Sequence, residues 1–239
     1  MTRVGIVAAM ERELRPLLAN DEFGFLRQEG EDGGVFVGDH GVAIFGGIGR
    51  DAATQAAERL VTKYKPALLV SAGVAGAVAG RHAVGAVLLP GSVTDADTGA
   101  CYATLSQHTT VLLTVATVAG SEEKRSWRDR GVDIVDMEGA AVAAVAGRAG
   151  IPFLAIKAVS DAVDEPMPPF DRFIRDGAFR PGAFLAWAAV RPWWWGRIRR
   201  LGRNTAFASR RLCLALGVLL LTEEWVPSAF DDIEQIVDP

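Results

Sequence analysis

Val132-Asp133-Ile134-Val135-Asp136-Met137-Glu138-Gly139-Ala140-Ala141 decides the fold, because a short apolar strand here delivers two acids directly into an alanine-rich helix. Successive side chains on a strand point to opposite faces, so Asp136 and Glu138 are expected to share one face, with Met137 on the other. Two carboxylates at a strand end are costly to bury without hydrogen-bond donors. In open α/β sheets the carboxyl ends of strands are where ligands bind, and a sugar would supply the donors. The competing reading is that both acids cap and solvate the helix that follows, since acids favour a helix N-terminus. Spacing alone leaves both open.

Moving outward, two more strand ends carry acids: Ala9-Met10-Glu11-Arg12-Glu13 follows the apolar run Arg3 to Ala9, and Ser160-Asp161 follows Phe153 to Val159. Between them the pattern alternates. A helix is expected over Met10 to Ala19 with Pro16 in or near its first turn, a hairpin over Val35–Gly38 and Val42–Phe45, and a helix from about Asp51 to Tyr64. A strand Ala67–Ser71 runs into small residues, Ala72 to Ala77, and further extended pieces fall at Gly85–Pro90, Ser92–Thr94 and Val111–Val115. Asp95 to Gly99 reads as a turn with solvated acids. Glu122 to Arg130 reads as a charged, solvent-facing helix, and Gly139 to Ala149 as a helix that can lie close to a sheet. Strands alternating with helices argue for an α/β three-layer sandwich around a central, mixed, twisted sheet. The closing part reads helical over 182–221 with a break at Pro192. One domain over 1–221 and an acidic tail over 222–239 are expected; the tail holds Glu223, Glu224, Asp231, Asp232, Glu234 and Asp238 and neither Lys nor Arg.

Composition narrows the function classes. A net charge of −4 gives no global attraction to nucleic acid. Cys101 and Cys213 are far apart, and His40, His82 and His108 are scattered, so no metal site is expected. The first strand begins at Arg3 with no basic and apolar leader before it, which reads as a cytoplasmic protein. Leu212 to Leu221 is too short to span a bilayer, which takes about 20 apolar residues.

Motif order adds a resemblance. Val4-Gly5-Ile6-Val7-Ala8-Ala9-Met10-Glu11-Arg12-Glu13, then Gly73-Val74-Ala75-Gly76, Asp136-Met137-Glu138 and Ser160-Asp161 together resemble the nucleoside phosphorylase and nucleosidase superfamily, in particular 5'-methylthioadenosine/S-adenosylhomocysteine nucleosidases. The resemblance implies a nucleoside phosphorylase-like fold and hydrolysis of a purine ribonucleoside, adenine being the expected base and the 5' position modified. It implies that Glu138 holds the ribose hydroxyls, Met137 packs under the sugar, Asp161 gives a proton towards purine N7, and Glu13 activates or orients the nucleophile. Asp136, Ser160, Gly73 and Val74, with Thr117 and Val118 near the base, complete the implied substrate contacts. It also implies a homodimer and no cofactor. N-glycosidic cleavage passes through an oxocarbenium-like sugar and needs an acid for the leaving group.

The chain departs from that pattern in two places. Val74 stands where family members carry a serine that contacts the water or phosphate, and Ser71 stands where a phosphate-binding arginine would fall in purine nucleoside phosphorylases. Water is then the easier nucleophile to house, unless Arg50, Arg81 or backbone amides replace the missing cations, in which case phosphate would be a co-substrate. The run Val93 to Asp97 and the helical end also resemble hopanoid-associated nucleoside phosphorylases, which act on a lipid-linked adenosine. Arg191 to Arg200 mixes aromatics with arginines, as at membrane interfaces, or its tryptophans dock the C-terminal helix onto the sheet or a second subunit. A non-catalytic nucleoside-binding module is the alternative of a different class.

Overall fold

The computed structural model describes residues 4–29, 34–222, 225 and 233. Its main sheet contains β1 (Val4–Ala8), β2 (Leu26–Arg27), β3 (Val35–Val37), β4 (Gly41–Phe45), β5 (Leu68–Ala77), β6 (Val87–Leu88), β7 (Ser92–Asp95), β8 (Cys101–Ala103), β9 (Val111–Thr114), β10 (Ile134–Asp136) and β11 (Phe153–Asp161). The helices are α1 (Glu11–Leu18), α2 (Arg50–Tyr64), α3 (Ser121–Arg128), α4 (Gly139–Ala149), α5 (Pro181–Ala189) and α6 (Pro192–Leu221).

The apolar strands are buried on both faces, and their alternating residues divide between two cores. On one side Ile6, Val70, Leu154 and Ile156 meet Leu14 and Leu17 of α1 and Leu212, Leu216 and Leu219 of α6. On the other, Val7, Leu69 and Ala155 meet Ala53, Ala57 and Leu60 of α2 and Ala140 and Val145 of α4. Helices on both faces of a mixed sheet make the expected three-layer sandwich.

The sheet's organising strand is β5. It runs ten residues and passes straight through Gly73-Val74-Ala75-Gly76, so the strand expected to end at Ser71 continues through the small residues that follow. β11 pairs with it in parallel from Leu69 to Gly76. β1 pairs with its first half in parallel, and β10 meets its far end antiparallel. Gly76 consequently lies in register with Val135 of β10 and Asp161 of β11. That register brings the two acid-bearing strand ends together.

Other expectations need correction. Pro16 lies in the second turn of α1 rather than the first. Asp95 is buried and bonded to both terminal nitrogens of Arg50, so it is not a solvated turn acid. The break at Pro192 is present, but α6 then continues for 30 residues. It is long and apolar enough to cross a bilayer by length and composition, yet half of its apolar window is buried in the protein, as in a core helix. Trp194 joins Trp187 of α5 in an aromatic cluster at 5.8 Å, whereas Trp193 and Trp195 are 67% and 56% exposed. Most of the acidic tail lies outside the described residues, although Ile233 is buried in the first core.

Candidate active site

Above the carboxyl ends of β1, β10 and β11 and the far half of β5 lies a cavity of about 490 Å³, within the size range of small-molecule sites. Glu13, Val74, Thr117, Val118, Asp136, Met137, Glu138, Ser160 and Asp161 all line it. Gly73 lies behind this wall, where an added Cβ would sit 3.5 Å from Glu13 Oε2 and 3.8 Å from Lys157 Nζ. Glu13 and Asp161, 148 positions apart in the chain, are thus gathered at one place.

The two acids of the opening motif have different environments. β10 ends at Asp136, so strand alternation does not extend to Glu138, which begins α4 with φ −129° and ψ −30°. Asp136 Oδ1 accepts a hydrogen bond from Thr114 Oγ1 at 2.7 Å, and Oδ2 accepts from the Gly139 amide at 2.9 Å. Lys157 Nζ stands 2.8 Å from the same Oδ2. Asp136 is therefore both helix cap and ion-pair partner, with both oxygens engaged by the protein. Glu138 Oε1 accepts from the Gly49 amide at 2.7 Å. Gly49 has a φ of +95°, which favours glycine and aims this amide into the site. Burial, together with the charge of Asp136, pushes the Glu138 carboxyl up to about 7.

Glu13 is buried at the first turn of α1, its Oε2 3.3 Å from the Met10 amide. Burial pushes it, too, up to about 7, against the pull of the Lys157 ammonium. A carboxyl poised there can exchange a proton at neutral pH.

Sequence reasoning missed two buried lysines. Lys157 sits inside apolar β11, is 1% exposed, and donates to Ser71 Oγ at 3.0 Å as well as pairing with Asp136. A lone lysine in such a strand is itself a signal, since buried ammonium groups need partners. Lys124 belongs to the helix expected to face solvent; it is 2% exposed and forms an ion pair with Asp161. Asp161 Oδ1 in turn accepts from Ser160 Oγ at 2.7 Å.

The remaining candidates fall elsewhere. Arg50 is occupied by Asp95 and Asp97, Arg81 by Asp133, and neither lines the cavity. The Val118 amide donates to Asp171 at 3.0 Å. Among the described residues, no group of three or more His, Cys, Asp or Glu side chains is placed to hold a metal ion.

A family model described as "Phosphorylase superfamily" matches residues 3–119 and 106–186. The chain belongs to the phosphorylase superfamily. Within it, the chain is 31% identical over 207 residues to a 5'-methylthioadenosine/S-adenosylhomocysteine nucleosidase of Maridesulfovibrio salexigens, covering 68% of this chain and 87% of the relative. The fold is shared with the Streptococcus pneumoniae nucleosidase solved with 8-aminoadenine, at 23% identity and a TM-score of 0.62, covering 87% of this chain and 99% of that one. It is likewise shared with the futalosine hydrolase of Helicobacter pylori, at 19% identity and a TM-score of 0.61, covering 77% and 96%.

Proposed function

We propose that this superfamily enzyme hydrolyses the N-glycosidic bond of a purine ribonucleoside carrying a modified 5' position, adenine being the favoured base. The observation that carries the reading is the convergence of Glu13, Glu138 and Asp161 on one cavity. In this account Glu138 accepts hydrogen bonds from the ribose hydroxyls while Gly49 fixes its other lone pair, and Met137 packs against the sugar. Asp161 delivers the proton that makes the purine a better leaving group. The C1'–N9 bond breaks with its electron pair moving into the base, water adds to C1', and Glu13 takes the proton that the water gives up. The 31% identical nucleosidase supports the chemistry.

Water is favoured over phosphate because Arg50 and Arg81 are already paired with carboxylates and do not line the cavity. One observation favours a large apolar 5' group: Met10, Met167, Phe170, Ile174, Phe179 and Ile198 form an apolar wall. We also read the enzyme as a cytoplasmic homodimer, a state that sedimentation of the purified protein checks.

The test is Asp161→Asn. It should abolish base release while equilibrium binding of the nucleoside persists; turnover at the wild-type rate would remove Asp161 from its role.

A further inference from the structure

Asp161 receives donors on both oxygens: Ser160 on Oδ1 and Lys124 on Oδ2. Both of its oxygens are thus already engaged as acceptors. The adjacent ammonium holds a proton to give. Lys124 reaches Asp161 from α3, a separate element on a different part of the chain, and its side chain is almost wholly removed from solvent. A surface pairing could be incidental, but burying an ammonium carries a large desolvation penalty.

The surroundings are shaped for this pair. A Cβ added at Gly76 would stand 2.8 Å from Lys124 Nζ and 3.0 Å from Asp161 Oδ2, so the absence of a side chain at Gly76 lets the two groups meet where they do. Lys124, Gly76 and Asp161 all line the cavity. Ser160 Oγ lies 3.2 Å from the Ala75 carbonyl as well as 2.7 Å from Asp161. Its single proton can turn to that carbonyl when Asp161 carries a proton.

We propose that Lys124 is a positioning residue that supplies, through Asp161, the proton taken by the leaving purine. The inference rests on the nucleoside-cleaving reading above. The steps balance. The ammonium gives a proton to Asp161, Asp161 gives a proton to N7, and the C1'–N9 electron pair enters the purine ring as the base departs. As the base leaves, Glu13 releases to entering water the proton it took from the nucleophile, and the neutral amine takes one up through the same water, so the cycle closes with no net change in protons.

The experiment compares wild type, Lys124→Met and Lys124→Arg on two substrates with the same 5' group. One is the adenine nucleoside, and the other has 4-nitrophenol in place of adenine, so that its leaving group departs as a phenolate without protonation. Variants are assayed on preparations that still bind the nucleoside. Lys124→Met should lose about 100-fold or more in adenine release, the scale of general acid catalysis, while nitrophenolate release stays near the wild-type rate. Lys124→Arg should not restore adenine release, because a guanidinium does not deprotonate in proteins. Equal losses on both substrates, or rescue by arginine, would reduce Lys124 to a structural counter-charge and overturn the proposal. If wild type releases neither leaving group, the parent reading fails and takes this one with it; wild-type activity with an unaffected Lys124→Met overturns this inference alone.

Discussion

The Lys157 ammonium lies 2.8 Å from Asp136 Oδ2 inside the protein, with the two side chains 2% and 1% exposed. Lys157 is also the positive charge that opposes the upward shifts of both Glu13, where Arg12 adds to it, and Glu138. One buried cation thus serves three carboxylates. Lys157→Met should destabilise the fold by about 3–5 kcal/mol, the cost of stranding one partner of a buried pair. Adding Asp136→Asn should recover part of that loss. Thermal denaturation of both singles and the double variant checks this; additive losses would show that the pair is not energetically coupled.

The raised carboxyls give a pH dependence whose sign can be stated. Glu13 ionises near 4.5 when unfolded and near 7 when folded, so between those values the folded chain binds the extra proton. Stability therefore falls as pH rises through that window and levels off above it. Glu13→Gln removes this residue's share of the dependence and leaves that of Glu138: the variant should match wild type near pH 4 and exceed it at pH 8 by on the order of 1–3 kcal/mol. Denaturant melts at the two pH values decide it, and a stability difference independent of pH would contradict the assignment.

The same shift shapes activity. If Glu13 receives the water proton it must be ionised, so kcat/KM should fall on the acid side with a midpoint near 7. Glu138 is raised to the same range and faces the same charges, so the limb belongs to the pair rather than to either residue. A profile flat from pH 5 to pH 8 would remove Glu13 as the base.

Glu138→Gln keeps the shape of the side chain but weakens its acceptance of ribose hydroxyl protons. Hydrogen bonds to charged groups are worth about 1.5–3 kcal/mol, so preference for ribose over 2'-deoxyribose should drop roughly tenfold to a hundredfold. Competition kinetics between the two sugars reads this, and an undiminished preference would place the ribose elsewhere.

The apolar wall yields a specificity prediction. Ile198→Trp should fill the side of the cavity contributed by α6 and raise KM for nucleosides with long apolar 5' substituents. Adenosine itself should be cleaved as before. Loss on both substrates alike would mean that this wall does not accommodate the 5' group.

Much of this was legible from local pattern. The helix over Gly139 to Ala149 and the apolar strand ending in Ser160-Asp161 were readable because their composition matches their surroundings along the whole element. The acids at the strand ends were readable because chemistry and topology point to the same place. What escaped were long-range pairings. Nothing beside Lys124 in Glu122-Glu123-Lys124-Arg125 distinguishes the one charge that turns inward. Asp95 looked like a turn acid because its partner, Arg50, is 45 residues away. The expected strand stopped at Ser71, short of the glycines of β5, because what those glycines adjoin, Glu13, Lys157, Lys124 and Asp161, comes from other elements. Lys157 was the avoidable miss, since a charged residue inside Phe153 to Asp161 implies a buried counter-charge.

The central claim is that Glu13, Glu138 and Asp161 form a water-using nucleoside site. The most direct measurement is chromatography of adenosine, 5'-methylthioadenosine, S-adenosylhomocysteine and inosine after incubation with the enzyme, with and without phosphate. The account predicts free adenine from a 5'-modified adenine nucleoside at the same rate in both conditions. Base release that requires phosphate, or saturable nucleoside binding with no base released, would contradict it.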